Sequence, residues 1–182
     1  AKMAEAGCKA VVIEATSQGF KLDRTAGINF DIGIYTNLSP DHIGGNEHAD
    51  FAEYLNCKKM LFTQCKNGIA NADSQYFAEI TKNAVCPIKT YALDSTADYM
   101  AKNLSFTTDN KQLCTKFNCV YDDNEFPVKL KIPGKFYVYN ALAAISTAKS
   151  LGINDDVIVK SLEETFVKGR MEIVPTNNGS TV

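Results

Sequence analysis

The sequence has no tryptophan, only two histidines and almost no excess of charge of either sign. Lys and Arg together number 19, Asp and Glu together number 21, and the formal net charge is −2. Such a balance gives no electrostatic basis for binding duplex nucleic acid or an anionic membrane surface. No apolar run approaches the roughly 20 residues of a membrane span. The sequence therefore argues against nucleic acid and membrane as partners.

The cysteine pattern is also uninformative for metal or disulfide chemistry. None of the six cysteines forms a CxxC pair or has the spacing of a zinc finger. We therefore expect reduced thiols in a cytoplasmic protein, and neither a disulfide framework nor a zinc site.

The length and the two ends of the chain bear on its organisation. A chain of 182 residues, 45% of them hydrophobic, has the size and the apolar content of one domain or slightly more. It begins with AKMAEAG, without an initiator Met, and it ends with NNGSTV, where a strand is expected to continue. We therefore expect a fragment of a longer protein.

The first half of the chain alternates predicted strands with predicted helices. Short apolar runs rich in β-branched residues are typical of strands buried on both faces. The predicted strands are 10–14, 31–38, 69–71 and 88–93, and the predicted helices are 1–6, 50–65 and 74–84. This alternation predicts an α/β fold with a mostly parallel sheet flanked by helices.

The pattern changes after residue 93. Three β runs follow at 104–109, 112–121 and 126–132, and Asp122-Asp123-Asn124-Glu125 forms a natural hairpin turn between the last two. This part predicts a small antiparallel section. Helices are then expected at 136–150 and 155–165.

Two polar residues follow neighbouring predicted strands. Glu14 ends the first strand, and His42 follows the second, 28 positions later. Ligands bind beyond the carboxyl ends of parallel strands, so we expect these side chains to be neighbours. A carboxylate and an imidazole suit a divalent cation or acid–base catalysis. The alternative is that Glu14 caps a helix and His42 bonds to the backbone.

Lys58 lies on the apolar stripe of the predicted helix 50–65. Burying an ammonium group without a partner is costly, and its pKa usually falls in response. A neutral amine is a nucleophile that can add carbon dioxide and become a metal-binding carbamate. From the residues alone, a lysine that reaches solvent from the edge of the stripe is the favoured alternative. The stripe consists of Phe51, Tyr54, Leu55, Leu61, Phe62 and Cys65.

Asn140 and Arg170 are two further candidates. Asn140 lies in a predicted helix that is apolar nearly all round, and a buried amide needs partners from the backbone or from a ligand. Arg170 follows Gly169, where the domain is expected to end. It could be a surface residue or an arginine directed at phosphate.

Taken together, four stretches resemble the Mur ligase family in the order in which that family carries them. They are VVIEATSQGFKLDR at 11–24, TNLSPDHIGGNEH at 36–48 with EYLNCKKMLF at 53–62, GKFYVYNALAAI at 134–145, and GRMEIV at 169–174. Within the family, the resemblance is greatest to the branch that adds a diamino acid, L-lysine or diaminopimelate, to UDP-MurNAc-L-Ala-D-Glu.

The resemblance implies an ATP-dependent amide ligase of peptidoglycan synthesis. In that family the γ-phosphate of ATP passes to the substrate carboxylate, and the incoming amine then attacks the acyl phosphate. Glu14 and His42 would hold Mg²⁺. Lys58 matches the carbamylated catalytic lysine, whose carbamate supports a second Mg²⁺, so the resemblance reverses the preference for a solvent-directed lysine.

The resemblance also implies the residues that bind the two larger substrates. Thr16, Ser17 and Arg24 would bind the UDP-muramoyl substrate, and Asn140 and Arg170 would contact the nucleotide.

The chain departs from the family pattern in several places. Thr16-Ser17-Gln18 stands where relatives often have Ser-Ser-His, Tyr137 stands where they often have Asn, and Cys57 stands where they tend to have Ala. No GxxxxGK(S/T) phosphate loop occurs in the 182 residues. In the family this loop and the uridine-binding domain lie upstream, and the amino-acid specificity domain follows. We therefore expect 1–170 to be a partial central ATPase domain, 171–182 to lead into the next domain, and the chain alone to be inactive.

Three other functions are compatible with parts of the sequence. One is a ligase resembling folylpolyglutamate synthase, with the same fold and another carboxylate substrate. Another is a non-catalytic binding module of the same fold, which the missing loop and Tyr137 would allow. The weakest is a metal hydrolase built on Asp41-His42 and Glu47-His48, because a hydrolytic metal site usually needs a fuller set of ligands.

Overall fold

The computed structural model describes residues 2–40, 43–44, 47–109 and 112–165. Its centre is a six-stranded sheet in which the strands lie side by side in chain order. The first four strands are parallel and the last three form antiparallel pairs. The predicted α/β class, with a mostly parallel sheet and a small antiparallel section, is confirmed. The strands are β1 (Phe30–Tyr35), β2 (Cys65–Asn71), β3 (Ile88–Ala92), β4 (Tyr99–Asp109), β5 (Gln112–Tyr121) and β6 (Asn124–Leu130).

Helices cover both faces of this sheet. The α-helices are α1 (Lys2–Glu5), α2 (Ser17–Lys21), α3 (Phe51–Lys59), α4 (Phe77–Thr81), α5 (Lys135–Ser150) and α6 (Asp155–Glu164), and a 3₁₀ turn spans Met60–Thr63. α5 and α6 contribute to one core cluster, and α3, the 3₁₀ turn and α4 contribute to the other. Successive β2 residues Ile69 and Ala70 belong to different clusters, as expected for side chains that alternate across a sheet.

The predicted hairpin is present, with a tight turn. Asp122 and Asp123 both have positive φ, 43° and 62°, and Tyr121 pairs with Asn124. Positive φ at both central residues is the geometry of a two-residue turn whose twist matches the strands. Asp tolerates it better than most residues, which explains why this sequence turns here.

The predicted strand at 10–14 is wrong. These residues have no ladder partner among the described residues, and Val12 is 97% exposed. An apolar, β-branched run favours a strand, but a strand also needs a neighbour to complete its hydrogen bonds. β1, the edge strand of the sheet, pairs only with β2 in the described part of the chain.

The predicted helix 50–65 is correct at its start and too long at its end. The α-helix ends at Lys59, and Cys65 already pairs with Phe30 in the sheet. Tertiary pairing with β1 therefore overrides the helical pattern of the last residues. Asn67 and Gly68, a pair that is typical of a turn or a helix end, lie inside β2.

Candidate functional site

Lys58 and Glu14 interact in the folded chain although they are 44 positions apart. Lys58 is half-buried on α3, and its Nζ lies 6.0 Å from the centroid of the Tyr54 ring. Burial lowers the pKa of Lys58, and the negative charge of Glu14 partly opposes this shift. The neighbouring Lys59 instead reaches Glu79, at 3.3 Å. The structure thus places Glu14 near enough for its charge to act on the Lys58 amine, and these are two of the three residues expected at the metal site.

The three residues expected to bind the muramoyl substrate lie in one segment directly after Glu14. Thr16 caps the N-terminus of α2, where its Oγ1 accepts a hydrogen bond from the Gly19 N–H at 3.0 Å. Ser17 is buried, and its Oγ lies 2.9 Å from Nε2 of His48. The Arg24 side chain is exposed. Two of the three side chains are therefore held by hydrogen bonds within the protein, and the third is open to solvent.

His48 is only 1% exposed and lies in a row of polar groups that joins α2 to the start of α3. Its Nδ1 is 3.5 Å from Oε2 of Glu53. The same Glu53 oxygen accepts hydrogen bonds from Lys21 Nζ and the Ala49 N–H, both at 2.8 Å. The burial of His48 and its bond to Ser17 count against its use in an open hydrolytic metal site.

A pocket of about 240 Å³ lies beyond the carboxyl ends of β1 and β2, beside the first turns of α5. This is the position at which α/β sheets bind ligands. Most of the lining residues are of polar type, although apolar atoms contribute much of the surface. The lining consists of Thr36, Asn37, Leu38, Asn71, Asp73, Ser74, Gln75, Phe136, Tyr139 and Asn140.

Asn140 is exposed at this pocket, so the prediction that its amide is buried is wrong. The buried stripe of α5 includes Val138, Ala141, Leu142 and Ile145, at helical spacing. Asn140 lies outside that stripe although its helix is apolar in composition. Asn140 nevertheless lines the pocket, and its contact with a nucleotide stays a prediction.

Asp73 is the most strongly fixed side chain of the pocket, and the sequence analysis did not identify it. Its carboxylate accepts hydrogen bonds from the N–H groups of Leu93, Asp94 and Ser95 at 2.6, 3.0 and 2.7 Å, and from the Tyr139 hydroxyl at 3.0 Å. Burial alone would raise the pKa of Asp73, but the hydrogen bonds outweigh it and lower the pKa to about 2. The sequence did contain one indication of Asp73, since an Asp that follows the carboxyl end of a strand in a parallel sheet lies where ligands bind.

Two of the predicted site residues, His42 and Arg170, lie outside the described residues. Within the described residues, no group of three or more His, Cys, Asp or Glu side chains is placed to hold a metal ion. All six cysteines are free thiols, and Cys65 and Cys86 have their sulfur atoms 3.5 Å apart. None of the helices in the described ranges is both long and apolar enough to cross a membrane.

Comparison with known proteins gives relatives of one kind. A UDP-N-acetylmuramyl-tripeptide synthetase of Lactococcus lactis subsp. cremoris is 34% identical over 187 residues, covering 100% of this chain and 36% of the relative. A UDP-N-acetylmuramoyl-L-alanyl-D-glutamate–2,6-diaminopimelate ligase of Caldanaerobacter subterraneus is 37% identical over 175 residues, covering 96% of this chain and 35% of the relative. The chain thus spans little more than a third of the length of these relatives.

Solved structures show the same fold. A UDP-N-acetylmuramoyl-L-alanyl-D-glutamate–2,6-diaminopimelate ligase superimposes with a TM-score of 0.85 at 28% identity, covering 97% of this chain and 37% of the other. A more distant ligase of Thermotoga maritima, solved in complex with ADP, shares the fold with a TM-score of 0.64 at 16% identity, covering 89% of this chain and 36% of the other. The family model described as the Mur ligase middle domain matches residues 1–148. The chain therefore belongs to the Mur ligase family, and the matched part is its middle domain.

Proposed function

We propose that the protein carrying this chain is an ATP-dependent amide ligase of peptidoglycan precursor synthesis. It adds a diamino acid to UDP-MurNAc-L-Ala-D-Glu through an acyl phosphate in the cytoplasm. The family match and the activities for which the relatives are named support this class of substrate. The observation that carries the proposal is the half-buried Lys58 amine, on which the charge of the Glu14 carboxylate acts.

The environment of Lys58 suits carbamate formation. Burial lowers the pKa of Lys58, which increases the fraction of neutral amine. The ammonium group first loses one proton. The neutral amine then adds to the carbon of carbon dioxide and releases a second proton, so a cation is replaced by an anion. A carbamate near Glu14 places two anionic groups together, and such oxygen ligands fit Mg²⁺.

Glu14, His42 and carbamylated Lys58 would hold Mg²⁺, which neutralises the charge that develops during phosphoryl transfer. The protein residues position the reactants. Thr16, Ser17 and Arg24 hold the muramoyl substrate, and the bond to His48 fixes the Ser17 hydroxyl.

The nucleotide is proposed to bind with Asn140 and Arg170. The pocket lined by Asn140 offers amide groups for a base edge and the exposed ring of Phe136 for apolar contact.

The division of the chain is also a proposal. Residues 1–170 form a partial central ATPase domain, and 171–182 lead into the ligase domain that follows. The phosphate loop and the uridine-binding domain are placed upstream. The exposed apolar residues Val11, Val12 and Ile13 support this placement, because such a run is typical of a strand with neighbours.

The test is substitution of Lys58 in the complete enzyme. Lys58→Ala should reduce kcat by about 100-fold or more, because the proposed metal-supporting carbamate is lost. Added short-chain carboxylic acids should restore part of the rate by occupying the space of the carbamate. Lys59→Ala is the matched control, since that amine pairs with Glu79 at the surface, and it should leave turnover unchanged. Normal turnover of Lys58→Ala would contradict the proposal.

A further inference from the structure

We propose that Asp73 and Tyr139 are a positioning pair that fixes the first turns of α5 against the nucleotide pocket. The link between them is the hydrogen bond from the Tyr139 hydroxyl to Asp73 Oδ2, at 3.0 Å. This inference rests on the proposed function, because it takes the pocket at Asn140 to hold the nucleotide. Neither residue is assigned contact with the reacting atoms, and both act through the position of α5.

The Asp73 side of the pair is held rigidly. Three consecutive N–H groups, those of 93–95 after β3, donate to its two carboxylate oxygens. Its own N–H donates to Oδ1 of Asn71 at 3.0 Å, a local turn at the end of β2. The carboxylate is therefore anchored to the carboxyl ends of both β2 and β3. Hydrogen bonds to an ionised acceptor are stronger than those between neutral groups, so this anchor is stiff.

The Tyr139 side needs such an anchor. α5 begins after Gly134, which has no side chain, and no side-chain hydrogen bond caps the helix. The first turns carry Phe136 and Asn140, and both of these side chains line the pocket. Tyr139 lies one residue before Asn140, so its bond to Asp73 resists movement of Asn140 relative to the strand ends.

The arrangement has a specific consequence for binding. When the Tyr139 hydroxyl is removed, the ring still packs beside the core, but the polar link to the sheet is lost. Asn140 is then held less closely in the geometry that the nucleotide requires, and ordering it costs binding free energy. The residues proposed to bind the muramoyl substrate, Thr16, Ser17 and Arg24, belong to another part of the chain, so binding of that substrate should be unaffected.

The experiment uses the complete enzyme and its Tyr139→Phe variant. The dissociation constant of ATP is measured by calorimetry, the KM values of ATP and of the muramoyl substrate are measured separately, and Tm is recorded. Tyr121→Phe is the matched control, because it removes a Tyr–Asp hydrogen bond, that to Asp155, away from the pocket. We expect Tyr139→Phe to raise the Kd and KM of ATP roughly fivefold to tenfold. The KM of the muramoyl substrate should not change, and Tyr121→Phe should leave all three constants unchanged.

A double-mutant cycle separates positioning from general damage. In an Asp73→Asn background, Tyr139→Phe should weaken ATP binding less than it does in the wild type, because the shared bond is already impaired. The inference is overturned if Tyr139→Phe and Tyr121→Phe bind ATP equally well, or if Tyr139→Phe raises both KM values alike. Failure of the wild-type enzyme to bind ATP would instead overturn the proposed function, and the inference with it.

Discussion

At the scale of single residues, burial has opposite outcomes for two ionisable groups: the neutral form of Lys58 is favoured, and the charged form of Asp73 is favoured. Lys58 is desolvated and receives only partial compensation from Glu14, so its pKa falls. Asp73 is desolvated too, but the N–H groups of 93–95 and the Ser95 side chain stabilise its charged form, and its pKa falls to about 2. A lowered pKa favours the neutral form of a lysine and the ionised form of an aspartate. Under the proposed function the first effect prepares Lys58 for carbamate formation, and the second suits Asp73 to a structural role.

The stability of the 182-residue chain should depend on Asp73 in acid. The folded pKa of about 2 lies below the ordinary value near 3.9, so this carboxylate contributes stability above about pH 4 that is lost as the pH falls towards 2. Asp73→Asn should therefore be destabilised relative to wild type at pH 6, and the difference in free energy of unfolding should shrink between pH 4 and pH 2. Urea denaturation at a series of pH values measures this. The exposed carboxyl of Asp156 supplies the control variant, Asp156→Asn, for which we expect a small difference in the free energy of unfolding. A difference for Asp73→Asn that stays constant with pH would show that its charge is not used.

Local pattern placed Lys58 on an apolar stripe and did not single out Asp73. From the residues alone a lysine that reaches solvent was favoured, and only the family resemblance reversed that preference. The structure shows Lys58 half-buried. The partners of Asp73 come from 93–95 and from Tyr139, which is 66 positions away, and only the folded sheet brings them together. Asn140 was misjudged for a related reason, because a helix of apolar composition still has an exposed side.

At the scale of elements, strand pairing decides the boundaries that the pattern left ambiguous. Leu61 and Phe62 continue the helical stripe, but the chain leaves the α-helix at Lys59 and enters β2 at Cys65. From the local sequence alone, Gly68 would be interpreted as the end of a helix. In the structure it lies in the interior of β2, where Phe62 and Ile88 pack against its backbone.

Gly68→Ala should destabilise the 182-residue chain by about 1–3 kcal/mol, because the added methyl overpacks the core. A Cβ at this position would overlap Cδ1 of Ile88 and lie 2.8 Å from Cε1 of the fully buried Phe62. Urea denaturation at neutral pH measures the loss. Adding Ile88→Val removes one of the clashing groups, so the double variant should be more stable than Gly68→Ala alone, with Ile88→Val alone as the control. Equal stability of Gly68→Ala and wild type would mean that β2 has room for the methyl.

At the scale of the whole molecule, the order and direction of the strands bring segments that are distant in sequence to the same edge of the sheet. The fold class was predictable because alternating strands and helices leave few arrangements other than a parallel sheet with covered faces. The same rule brings the segments after β1 and β2 to one edge, where the pocket lies. Whether 10–14 forms a strand could not be predicted in this way, because strand formation there depends on a neighbouring strand and not on the composition of the segment.

The last prediction concerns what the 182 residues can bind alone. ATP binding in ligases of this class depends on backbone N–H groups and a lysine that surround the phosphates, and the chain contains no GxxxxGK(S/T) sequence to supply them. Calorimetric titration of ATP with Mg²⁺ into the chain should therefore show no micromolar affinity, even where circular dichroism shows it to be folded. The complete enzyme, titrated under the same conditions, is the positive control and should bind. Micromolar binding to the chain alone would mean that the pocket beside Asn140 holds the nucleotide without a phosphate loop. The proposal that binding requires a phosphate loop outside the 182 residues would then have to be abandoned.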